Sequence, residues 1–158
     1  MRDEQVKDFT RRITQCNRGG MIVVIYDIFF AYLKDGEEAF LQKENELFKE
    51  SMRKAENCID ELIRALDFKY AIAKELYPLY VFAKESLAKS VVKHDLEDLN
   101  NAKMVMENLH DAFKEAAKQD SSQPLMSNTQ QVYAGITYGK HDLTETCQVP
   151  EASRGFFA

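Results

Sequence analysis

Glu107 and His110 stand three residues apart, the Glu-x-x-His spacing that bundle helices use to hold paired iron ions. Such a centre needs a second Glu-x-x-His and two further inward glutamates. The sequence has only three histidines and no second motif. Glu107 follows the apolar Met106 and His110 follows Leu109, so both are expected to lie off the apolar seam, on a solvated face. Ser86 and Ser90 lack histidine and carboxylate company at a spacing that would activate a hydroxyl. Gly19-Gly20 has no Gly-Lys-Ser/Thr after it and no strand pattern before it, so it is not a phosphate loop. Cys16, Cys58 and Cys147 are far apart, without zinc-ligand spacing, and read as reduced structural thiols. No catalytic centre, metal ion or cofactor is expected.

Two polar residues inside the longest apolar run remain, Tyr26 and Asp27. Tyrosine suits a core with its hydroxyl bonded and equally an interface, and the sequence leaves both roles open. Asp27 reads as a structural polar residue, a partly buried acid paired with a lysine or arginine.

The 158 residues carry a formal net charge of −5, with basic and acidic residues interspersed. Phosphate backbones and anionic membranes are bound by clustered positive charge, so neither is an expected partner. The opening Met-Arg-Asp-Glu-Gln-Val-Lys-Asp-Phe has no apolar core of a secretory signal. The run from Met21 to Leu33 is interrupted by Asp27 and is too short to span a bilayer. A cytoplasmic protein is expected.

With six glycines, three prolines and no tryptophan, the chain favours helices. Residues 1–17 read as a polar lead with apolar anchors at Val6, Phe9 and Ile13, and Asn17 as a helix N-cap. Four helices are expected, at about 18–42, 45–66, 70–92 and 95–119. Asn45 and Asp95 are expected caps. The second helix carries a seam of Phe48, Met52, Ala55, Ile59, Leu62 and Leu66; the third, of Ile72, Leu76, Leu79, Ala83, Leu87 and Val91, with a kink near Pro78. The fourth carries Leu99, Ala102, Met106, Leu109, Phe113 and Ala116. Short connections make this an all-α, antiparallel up-down four-helix bundle spanning 1–119. Residues 120–158 read as a mostly irregular C-terminal tail.

The first of these helices breaks the one-stripe rule. Its residues from Met21 to Tyr32 are apolar in every direction around the axis, although Ile22 to Tyr26 also have strand chemistry. A small bundle cannot bury a helix on all sides, so part of that surface must be covered by the chain's own ends or by another molecule. An amphipathic helix or extended apolar segment laid in a groove is the expected occupant.

Over residues 9–118 the sequence resembles the flagellin-specific export chaperone family, FliS. The resemblance is carried by Met21-Ile22-Val23-Val24-Ile25-Tyr26-Asp27, by Lys54-Ala55 with Ile59-Asp60-Glu61-Leu62 and Leu66-Asp67-Phe68, and by Ile72-Ala73-Lys74-Glu75-Leu76-Tyr77-Pro78-Leu79-Tyr80. Gln15-Cys16-Asn17-Arg18 stands where the family usually has Thr-Ala-Ser-Pro, Ile28 replaces a glycine, and Phe113 stands in the region of a common tryptophan.

The resemblance implies a chaperone that binds the C-terminal segment of flagellin in the cytosol. Premature polymerisation is thereby prevented and flagellin is delivered to the flagellar export apparatus. On this reading Ile13, Met21, Ile22, Val24, Ile25, Tyr26 and Phe29 bind the partner. Phe9 and the tail island Val132, Tyr133, Ile136 and Tyr138 are candidate groove covers. The alternative is a helical adaptor or regulator of another flagellar or cytosolic protein.

Overall fold

The computed structural model describes residues 3–126, all within one compact unit, and the tail island Val132, Tyr133, Ile136 and Tyr138 lies outside them. The described residues form five helices and no strand: α1 (Asp3–Gln15), α2 (Arg18–Leu41), α3 (Asn45–Arg64), α4 (Ala71–Lys93) and α5 (Glu97–Gln119). α2 packs on α3 and α5, and α4 packs on the same two helices, so α2 to α5 close a ring around one core. α1 packs on α2.

The fifth helix corrects the expectation of a polar lead over 1–17. Val6, Phe9 and Ile13 are three and four residues apart, a helical stripe, and Asp3 and Glu4 suit the positive end of the helix dipole. Phe9 and Ile13 are half-buried, yet α1 contributes no fully buried residue.

The break between α1 and α2 is built by Asn17. Its side-chain oxygen accepts from the Gly20 amide at 2.8 Å, and its Nδ2 donates to the Asp120 carbonyl at 3.0 Å. Asp120 Oδ2 accepts from the Gly19 amide at 3.2 Å, and the Leu125 amide donates to the Cys16 carbonyl at 3.0 Å. The paired glycines now have a physical reason. A Cβ at Gly19 would stand 2.9 Å from Asp120 Oδ2, and one at Gly20 2.9 Å from Cys16 Cβ. The chain leaving α5 thus locks onto the α1–α2 junction.

Five of the six expected α3 seam residues, Phe48, Met52, Ala55, Ile59 and Leu62, are buried, whereas Leu66 lies beyond the end of the helix and is half-buried. The α3 cap is not the expected one, because Asn45 is the first helical residue and Glu44 precedes it without a side-chain bond. α4 runs unbroken through Pro78 and ends at His94, whose left-handed φ of 56° closes the helix. Asp95 Oδ1 accepts from the Glu97 amide at 3.0 Å, serving the start of α5 from one residue outside the cap position.

The α4 seam differs from the expected one. Ile72 is 57% and Leu79 39% exposed, whereas Ala73, Leu76, Tyr80, Ala83, Ser86, Leu87 and Ser90 are buried. α4 is apolar on more than one face, so periodicity leaves two frames in competition. The small residues at 73, 83, 86 and 90 let its backbone approach the neighbouring helices, which selects the observed frame. On α5, Leu99, Ala102 and Met106 are buried as expected, but Ala116 is exposed.

Candidate partner-binding site

The centre of α2 presents two adjacent polar side chains to different surroundings. Tyr26 is fully buried, and its hydroxyl meets that of Tyr80 on α4 at 2.8 Å. Burial raises its proton affinity well above the ordinary tyrosine range, with the Tyr80 hydroxyl adding to the effect, so it stays neutral. Its ring stacks on His110, centroids 5.3 Å apart, and lies 5.7 Å from Phe113.

His110 is 6% exposed, which corrects the expectation of a solvated face; Glu107, its partner in the sequence motif, is exposed. The physical reason is the aromatic box formed by Tyr26 and Phe30, whose ring centroid is 5.2 Å from His110. His110 Nε2 lies 2.9 Å from Asp27 Oδ1, without the alignment of a hydrogen bond. Burial lowers the proton affinity of His110, and the nearby Asp27 carboxylate opposes that shift.

The other oxygen of Asp27 takes Arg12 of α1, whose guanidinium also lies 5.8 Å from the Phe9 ring centroid. Asp27 is therefore the partly buried acid that the sequence suggests, and its cation comes from α1. It joins three helices: its own, α1 through Arg12 and α5 through His110.

Beside this junction lies an open groove of about 530 Å³ between the end of α1, the start of α2 and the end of α5. Val23, Val24, Ala117 and Cys16 supply apolar wall, and Arg12, Lys114 and Lys118 supply cations. A smaller opening of about 290 Å³ lies between α2 and α3, lined by Ile25, Ile28, Tyr32 and Cys58 among others. Burial pushes the Cys58 thiol up to about 12, so it is protonated and poorly nucleophilic at neutral pH.

Of the expected partner-binding residues, Val24, Tyr26 and Phe29 lie in the core, and Ile13, Met21, Ile22 and Ile25 are half-buried. Val24 and Ile25 line different openings. The sequence reading missed Arg12, Val23, Lys114 and Ala117 as groove residues. Only Val23, in the apolar run, carried a signal.

A family model described as Flagellar protein FliS matches residues 2–120. The chain belongs to this FliS family, a flagellar chaperone family and not an enzyme family. No curated protein matches the sequence. Among the described residues, no helix is long and apolar enough to cross a membrane.

Proposed function

We propose that this protein is a cytosolic export chaperone that binds the C-terminal segment of flagellin, holds it unpolymerised and delivers it to the export apparatus. One observation carries the reading: apart from Asp27, the stretch of α2 from Met21 to Leu33 is apolar around the helix axis, yet Met21, Ile22, Val23, Ile25 and Ile28 are left only half-buried. Family membership supports the chaperone role. Burying apolar surface releases about 25 cal/mol per Å², so a few such side chains are a substantial binding resource. Val24, Tyr26 and Phe29 then set the shape of the surface from beneath. α1 is a cover: Phe9 and Ile13 shield part of α2 until flagellin displaces them.

Calorimetric titration of the full chain with flagellin monomer tests the reading. Binding is expected with intact flagellin and lost with flagellin lacking its C-terminal segment. Equal binding of both overturns the site of recognition.

A second reading, an adaptor for another flagellar protein, is favoured by a separate exposed group at the α3–α4 corner. Phe68, Tyr70, Ile72 and Tyr77 are 51, 66, 57 and 44% exposed. Affinity capture from the native cell, with mass spectrometry, decides between the two: flagellin supports the first reading, and a different flagellar protein without flagellin the second.

A further inference from the structure

Asp27 lies in the middle of an apolar helix, and its carboxylate is 23% exposed. Arg12 is the cation that satisfies it from outside the α2–α5 ring. His110 stands on its other side, but burial favours the neutral ring. Arg12 belongs to α1, which has no fully buried residue and is joined to α2 through a junction held separately by Asn17, Asp120 and Leu125. α1 can therefore leave the surface by turning about a fixed end, breaking the Arg12–Asp27 pair as it goes.

Departure of α1 leaves Asp27 without its cation. Open to water, the acid is tolerable. Covered again by an apolar segment, it is a desolvated charge with only the neutral His110 ring beside it and no cation, which is strongly unfavourable. Whatever replaces α1 must therefore do what α1 does: present apolar side chains to α2 and a cation to Asp27.

The geometry points to Asp27 as a specificity-determining residue that selects, as the occupant of the α1 position, an apolar helical segment bearing an arginine or lysine beside its apolar stripe. Residues 9, 12 and 13 of α1 are the internal template: an aromatic ring, a guanidinium and a β-branched aliphatic within five positions. The inference rests on the proposed chaperone reading and adds to it the charge that the bound segment must carry.

Two single variants of the full chain, titrated with flagellin monomer, separate the roles. Arg12→Ala loosens the internal cover, losing its latch and the contact with Phe9, and leaves Asp27 in place, so flagellin should bind about three- to tenfold more tightly. Asp27→Asn removes the same latch but also the partner's counter-charge, so it should bind about tenfold or more weakly than Arg12→Ala. If Asp27→Asn binds as tightly as Arg12→Ala, Asp27 serves the cover alone and the inference is overturned. A measurement independent of that variant's folding is the salt dependence of Arg12→Ala: affinity should fall as sodium chloride rises from about 50 to 500 mM, and a flat response also overturns the inference. Absence of flagellin binding by the unaltered chain would instead remove the chaperone reading, and this inference with it.

Discussion

The hydroxyls of Tyr26 and Tyr80 meet 2.8 Å apart inside the core, tying α2 to α4 across the centre of the ring. Both residues are essentially unexposed, at 0 and 1%. Each hydroxyl is the hydrogen-bond partner of the other, so their energetics are linked. Tyr26→Phe or Tyr80→Phe alone strands the remaining hydroxyl and should cost about 1–3 kcal/mol. The double variant removes both polar atoms and should cost less than the sum of the single changes. Denaturant unfolding of the four chains of this cycle checks the coupling, and strict additivity would refute it.

Asn17 both caps α2 and holds the chain that leaves α5. Asn17→Ala loses these bonds, and a longer one from Nδ2 to the Ser122 carbonyl, and should destabilise by about 1–2 kcal/mol. Asn17→Asp keeps an acceptor for the Gly20 amide but cannot donate to the Asp120 carbonyl. It should recover most of the stability, while amide exchange at Leu125 becomes faster than in the unaltered chain. Unfolding curves and hydrogen exchange read the two effects separately.

His110 gives the fold an acid-side sensitivity. Burial sets its folded proton affinity below the ordinary histidine value of 6.5, so the native chain takes up that proton less readily than the unfolded chain. Stability from this group is complete above about pH 6.5 and is lost as pH falls through and below that value. The charges of Asp27, Lys114 and Asp111 modulate the shift. His110→Gln should flatten the slope of stability against pH just below about pH 6.5. An unchanged slope would show that other groups set it.

The two candidate faces of α4 predict opposite outcomes. Ile72→Ser, on the exposed side, should change stability by no more than about 0.5 kcal/mol. Leu87→Ala, at a fully buried position, should cost about 2–5 kcal/mol. Thermal unfolding of both variants checks the observed frame, and equal costs would contradict it.

Much of the fold was legible in the sequence because it depends on local pattern. The α3 seam repeats at four and three, and its members at 48, 52, 55, 59 and 62 are buried; only Leu66, past the helix end, is half-buried. Asn17 before an apolar run marked the start of α2, and the family resemblance rested on contiguous stretches. The α1 stripe at Val6, Phe9 and Ile13 was also present, but a short polar helix is marginal by itself and gains its support from α2.

Tertiary structure decided the rest, because those features join residues distant in sequence. His110 follows Leu109 and looks solvated along its own helix, yet Tyr26 and Phe30 from α2 enclose it. Gly19-Gly20 looks like a defect in a helix start until Asp120, about a hundred residues later, closes against Gly19. α4 offered two apolar faces, and only the approach of α3 and α5 chose between them. Asp27 could be read as an acid awaiting a cation. Only the docking of α1 made that cation Arg12, since an ion pair depends on which helices touch and not on spacing along either one.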